Sequence, residues 1–414
     1  MASQAALSTA RLRVVRPNER SPAATKALAE RRARRSVAIL GLSVASLTAL
    51  GLVMVLSASS VSAFAQYGSS FTFFKRQLVY AVLGSLLAAG TARLPYRVWQ
   101  RAWVPLFGGT VLLLLMVLTK LGVQSGGASR WIQVGSFSMQ PSELAKFVVV
   151  VAAASILAAN LRHLDEPVLW LVPLGLVTGA VSLLIVFQRD LGTILIVGGS
   201  VFLVMFVAGV RARTLIASAL GSGLIGFGLI MAEGYRRARL FSFLHPWADP
   251  RNTGYQIVQS LIALGSGHLL GVGLGASRQK WMYVPNAHTD FIFSILGEEL
   301  GLIGEIVVLA LFGTLIYAGI RIAVRAPDTF GRLLGAGIVG WLGIQALINL
   351  GGATGVLPIT GVPLPFISFG GSSLVMSLAA VGVLFSIGRT EVAPARNGRS
   401  TPASARRRRP RRAR

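Results

Sequence analysis

"RRARRSVAILGLSVASLTALGLVMVLSASSVSAFAQ", residues 31–66, can be read in two ways, and the choice decides the fold. A basic start, an apolar stretch and an A-x-A at Ala63 and Ala65 are the marks of a cleaved secretory signal. The apolar part, Ser36 to Leu56, is too long for one. A signal core runs for about 7 to 15 residues, whereas this stretch spans a bilayer at about 1.5 Å per residue. It is a retained first membrane helix. Working outward, further apolar runs lie near 77–93, 103–121, 143–159, 167–187, 192–210, 214–232, 291–320, 333–352 and 370–388. The chain of 414 residues is 53% hydrophobic and 13% charged, with a mean hydropathy of +0.67, values that leave too little polar surface for a soluble domain. The expected fold is an all-α polytopic membrane protein of about ten transmembrane helices.

Charge divides the chain into a basic tail at 1–35, a transmembrane domain at 36–390 and an Arg-rich tail at 391–414. Residues 1–35 carry nine Lys/Arg against Glu19 and Glu30, and residues 389–414 carry ten arginines against Glu391, so the ends hold more than half of the net charge of +26. Such arms mark cytoplasmic ends that meet anionic headgroups, and "RRRRPRRAR" needs no nucleic-acid partner to explain it. With the N-terminus inside, Arg97, Arg101, Arg162, Arg211, Arg213, Arg321, Arg325 and Arg332 also fall in inner loops. Three polar segments, 122–142, 233–290 and 353–369, are then outside, and the largest joins helices seven and eight. Long ordered loops are usually functional. The chain has no cysteine, so disulfides and thiolate chemistry are excluded.

Chemistry-bearing residues collect on that outer side. In "YVPNAHTDFIFSILGEELG", 283–301, His288 and Asp290 stand where the long loop meets the eighth span, and ionisable groups at such depth usually serve a site or a pathway. Glu298 follows Asp290 by about 12 Å of helix rise, beyond the roughly 5 to 9.5 Å of paired glycosidase carboxylates. One essential carboxylate is therefore expected rather than a pair. Four histidines without H-x-x-x-H spacing give no zinc signature. In "GGASRWIQVGSFSMQPSELAK", 126–146, Arg130 and Gln140 precede a helix start at Pro141, and Glu143 and Lys146 share one face. That pair reads either as a structural ion pair or as part of a polar cavity. In "FQRDLGT", 187–193, Arg189 and Asp190 read as a self-neutralised turn. The long loop adds Arg236, Arg237, Arg239, Arg278 and Lys280, cations on a face where the positive-inside rule disfavours them, which points to an anionic ligand such as a lipid phosphate or to a packed lid. Finally "TGVLPITGVPLPFISFGGSSLV", 354–375, is too rich in Pro and Gly for a helix and reads as a cavity wall that includes Ser368.

Five motifs in order, "SRWIQVGSFSMQPSELAK", "QRDLGT", "GYQIVQSLIALGSGHLLGVGLG", "PNAHTDFIFSILGEELG" and "LPITGVPLPFISFGGSSL", resemble the SEDS family of bacterial shape, elongation, division and sporulation proteins over about residues 36–390. "GLVMVLSASS" followed by "GSSFTFFKRQLVYAVLG" looks most like the division branch, with the elongation branch as the alternative. The resemblance implies a glycosyltransferase that polymerises lipid II, a disaccharide-pentapeptide on undecaprenyl diphosphate, at the outer face of the cytoplasmic membrane and at the septum. It implies Asp290 as catalytic base. Glu143 and Lys146 are supporting residues, and Arg239, Arg278, Lys280 or a divalent cation (Mg or Mn) would stabilise the leaving group; no organic cofactor is expected. The implied partners are a class B penicillin-binding protein with transpeptidase activity and other division proteins. One departure stands out: the family usually has Pro where this chain has Arg189. Two other readings compete, a lipid II flippase using Glu298, Glu299 and Glu305 as a polar path and a non-enzymatic division scaffold.

Overall fold

The computed structural model describes residues 22–125, 128–135, 137–281, 283–285 and 287–390. Most of both basic tails therefore lies outside the described residues. In a bilayer every backbone donor must be satisfied within the segment, so each apolar run closes into a helix. The helices are α1 (Pro22–Tyr67), α2 (Thr72–Arg93), α3 (Arg97–Val117), α4 (Pro141–Ala159), α5 (Pro167–Phe187), α6 (Leu191–Ala208), α7 (Ala212–Ala232), α8 (Gly234–Leu244), α9 (Tyr255–Ser266), α10 (Ile292–Val324), α11 (Thr329–Ala353) and α12 (Gly371–Thr390). Among the described residues, nine are long and apolar enough to cross a membrane. The tenth expected span, α2, is a 22-residue helix, but Lys75, Arg76 and Gln77 in its first turns lower its hydropathy. At the other extreme, α1 starts at Pro22, well before the expected boundary at Ser36.

Burial ranks the helices. α4, α11 and α12 form the centre: Val148 to Ala154 of α4 and Trp341 of α11 are essentially inaccessible. α12 packs along α2, α10 along α1, and α11 against α4, α6 and α10. α7 stands at the edge with Leu215 as its sole buried residue among those described.

Two features depart from a plain helical bundle. Residues of the first polar segment form an antiparallel sheet, β1 (Gly122–Ser125), β2 (Ala128–Val134) and β3 (Phe137–Met139), in the order β1-β2-β3, with Gly122 opposite Ile132 and Ile132 opposite Met139. The sheet is a small addition to the expected helical fold, confined to the segment between α3 and α4. The other feature is a break in α10 at Gly301, whose φ of 65° and ψ of −168° leave the helical region. The long loop returns to this break: Val272 N donates to Glu298 O (2.9 Å), Gly273 N to Glu299 O (3.1 Å) and Leu302 N to His268 O (3.0 Å). A Cβ on Gly301 or Gly271 would collide with the backbone of the other strand of this contact, so the chain paths meet only because both residues are glycine.

Ion pairs mark one end of the bundle. Tyr96 Oη and Arg97 Nε donate to Asp328 at 2.7 and 2.8 Å, and Arg211 Nη2 lies 2.9 Å from Asp165. The sheet, Asp190, Asp290 and the 359–370 segment occupy the other end.

Candidate active site

Asp290 sits in the turn that leads into α10, half-buried, beside a small hollow lined by Phe291, Asn349, Thr360, Gly361 and Val362. Asn349 fixes its backbone. That amide, on the last turns of α11, donates to Asp290 O at 2.9 Å and to Val362 O at 2.7 Å, tying the turn to the Pro-rich segment. On the other side Phe369 N donates to His288 O at 2.9 Å, and the His288 ring packs against Phe73 and Phe369 with centroids 4.6 and 5.6 Å away. Burial pushes the His288 imidazole down to about 4, so it is neutral at pH 7 and acts as packing.

Burial pushes the Asp290 carboxyl the other way, up to about 6. The charges of Arg239 and Arg130 and a hydrogen bond from Thr289 oppose that rise, and the charge of Asp190 adds to it. A carboxylate close to neutrality in its proton affinity, yet ionised at pH 7, is suited to take a proton from a hydroxyl.

The other sequence-predicted residues divide into groups. Arg130, on β2, donates from Nε to Gln188 O (3.1 Å) and from Nη2 to Arg189 O (2.6 Å), clamping the α5–α6 turn. Arg189 holds φ at 57°, a conformation that the fixed ring of proline cannot adopt, so this turn differs from a Pro-bearing one. Asp190 caps α6 through Thr193 N (3.2 Å) and Thr193 Oγ1 (2.9 Å), and Gln140 Nε2 reaches it at 3.3 Å. Deeper in the bundle, buried Glu143 and Lys146 pair at 2.8 Å. Lys146 Nζ also donates to Gln345 Oε1 (2.7 Å), which accepts from Trp341 Nε1 (2.9 Å), while Gln345 Nε2 donates to Pro363 O (2.9 Å). The buried pair thus supports the wall beneath Asp290. Ser368 closes that wall, its Oγ accepting from Leu364 N at 2.8 Å and its carbonyl from Gln77 Nε2 at 3.0 Å.

Lys280 and Arg278 go elsewhere. Lys280 is buried, donates to Gly275 O and lies 3.7 Å from Glu299. Arg278 offers its backbone N to Glu298 Oε1 at 2.9 Å while its side chain is exposed. Glu298 further accepts from Ser277 Oγ, and Glu299 from Ser57 Oγ of α1 at 2.6 Å. Both glutamates are committed to holding the loop. Arg239 alone of the three expected cations comes near Asp290, with Nη1 3.4 Å from Ile359 O. Beside it a cavity of about 320 Å³ opens between α8, α9 and the 249–254 turn. Sequence reasoning missed Asn349 and Gln345, although an amide inside an apolar run is the available signal, and it missed Arg251 on the cavity rim.

Among the described residues no three His, Asp or Glu side chains converge as metal ligands, so the donor set does not fit a protein-only divalent site.

Comparison with known proteins gives a consistent picture. The cell cycle protein family of FtsW, RodA and SpoVE matches residues 38–392. A probable peptidoglycan glycosyltransferase FtsW of Geobacter metallireducens is 44% identical over 355 residues, covering 86% of this chain and 94% of that one. Stage V sporulation protein E of Bacillus subtilis is 44% identical over 347 residues, covering 83% and 94%. Among solved structures, a chain of a peptidoglycan synthase complex that coordinates polymerisation and crosslinking superposes with a TM-score of 0.71 at 32% identity, over 85% of this chain and 97% of that one. The rod shape determining protein RodA of Thermus thermophilus gives 0.63 at 32% identity, over 86% and 97%.

Proposed function

The chain belongs to the cell cycle protein family of FtsW, RodA and SpoVE, and on that premise we propose how it acts as a peptidoglycan glycosyltransferase. Its affinities favour the FtsW branch. The substrate in this reading is lipid II, and Asp290 is the general base. Its carboxylate takes the proton from the acceptor sugar 4-hydroxyl as that oxygen attacks the donor anomeric carbon; the carbon–oxygen bond to undecaprenyl diphosphate breaks and its electron pair leaves on the diphosphate. Inversion at an α-linked donor gives the β-1,4 bond. The observation that carries this is the position of Asp290: half-buried at the mouth of a hollow, with a raised proton affinity and two arginine charges nearby. The involvement of Glu298 and Glu299 in loop anchoring weighs against a flippase path.

We place the chain in the bacterial cytoplasmic membrane with both tails inside, working at the septum with a class B penicillin-binding protein. The absence of cysteine makes the orientation directly testable: single cysteines at 35 and 395 should resist an impermeant maleimide in intact cells, and labelling of either would reverse the topology. For the activity, the chain purified with its penicillin-binding partner should convert labelled lipid II to glycan polymer. No polymer from an intact complex, with and without divalent metal, would refute the polymerase reading.

A further inference from the structure

Leaving-group charge must be met somewhere, and the structure narrows the choice among the cations. Lys280 is occupied by Glu299 and Gly275, and Arg278 points to the exterior. The cavity of about 320 Å³ is different: Arg239 and Arg251 line it together with Ser242, Asn252, Thr253 and Tyr255, and no carboxylate does. Its floor is apolar, Phe243, Ile257, Pro285 and Ile359. Ile359 also lines the hollow at Asp290, so the two spaces adjoin. The polar rim is built rather than incidental. Asp249 accepts from Asn252 Nδ2 (3.0 Å) and from Thr253 N and Oγ1 (both 3.2 Å), and Gly254 N donates to Asp249 O (3.0 Å), which sets the turn carrying Arg251 at the start of α9.

We propose that this cavity seats the diphosphate of the donor lipid, with Arg239 on the side of the reacting carbon and Arg251 on the outer phosphate. The inference rests on the polymerase reading for its substrate, but the seat is defined by its own chemistry. Two guanidiniums together with hydroxyl and amide donors match a diphosphate. A volume at the lower end of ligand pockets, which run to about 300–1,000 Å³, is the scale of a headgroup rather than of a whole disaccharide-pentapeptide. The apolar floor suits the first isoprene carbons. Once the bond breaks, the same arginines hold the charge that develops on the leaving diphosphate.

The test is direct binding of geranyl diphosphate, geranyl monophosphate and geraniol to the purified full-length chain carrying Asp290→Asn, followed by calorimetry. The diphosphate should bind best. Arg251→Ala and Arg239→Ala should each weaken it by about tenfold or more, the scale of one charge-assisted hydrogen bond, with little change for geraniol. Arg213→Ala, an exposed arginine far from the cavity, should change nothing. Because Arg251 is exposed, its replacement does not threaten the fold, and Arg251→Lys should recover only part of the affinity. Equal binding of diphosphate and geraniol, or an undiminished diphosphate preference in both arginine variants, would overturn the seat. Polymer formation by the native chain together with that result would leave the polymerase reading standing; a confirmed seat without any polymer would do the reverse.

Discussion

Asp290 and Glu298 lie two helical turns apart on one stretch of chain, and the protein treats them in opposite ways. Glu298 is fully buried and receives Ser277 Oγ and the backbone N–H groups of Arg278 and Gln279. Glu299 beside it has Ser57 and Lys280. Asp290 has its backbone clamped by Asn349 while its carboxyl is left half-buried, with arginine charges near it and burial dominating its proton affinity. The well-bonded carboxylates hold structure; the incompletely compensated one is the candidate for chemistry.

That contrast can be broken by substitution. Asp290→Asn should lower polymerisation by about 10²-fold or more, the usual contribution of a positioned base, with partner binding retained; an unchanged rate would make Asp290 structural. The same substitution should stabilise the fold. A carboxyl whose folded value is about 6 against an ordinary 3.8 is penalised for ionising in the folded state, so the penalty appears as pH rises above 3.8 and is complete above about 6. Thermal melting at pH 7.5 should show Asp290→Asn more stable, by at most about 3 kcal/mol. At the buried pair the sign reverses: Glu143→Ala or Lys146→Ala strands a charge and should cost about 3–5 kcal/mol, visible as loss of folded protein in detergent. Smaller again is Glu299→Gln, which removes the Lys280 pairing but keeps an acceptor for Ser57 and should cost about 1–3 kcal/mol. Faster amide exchange confined to 271–280 would sharpen the comparison, and faster exchange at 288–291 instead would blur it.

The sequence made the helices legible because long apolar runs have one solution in a bilayer, and it singled out Asp290 as a candidate because a carboxylate there is costly. Other features left no such mark. The apolar run 291–320 reads as unbroken, and the break at Gly301 exists because a distant segment docks there through close backbone approach, which has no side-chain signature. The three strands at 122–139 are too short and too rich in Gly and Ser to show a clear alternation. Arg239, Arg278 and Lys280 look equivalent in sequence; only folding turns Lys280 toward Glu299 and Arg239 toward Asp290. Glu143 and Lys146 were readable as a pair from their spacing, whereas their link to Gln345, 199 residues from Lys146, was not.

The most direct measurement is the pH dependence of kcat/KM for polymerisation of labelled lipid II by the native complex between pH 4.5 and 8. With Asp290 as the base, the rate rises with pH through an inflection near 6 and then levels, and Asp290→Glu keeps an inflection while Asp290→Asn has none above a vanishing rate. An inflection that persists unchanged in Asp290→Asn, at a rate comparable to the native one, would contradict the account and assign the proton to another group.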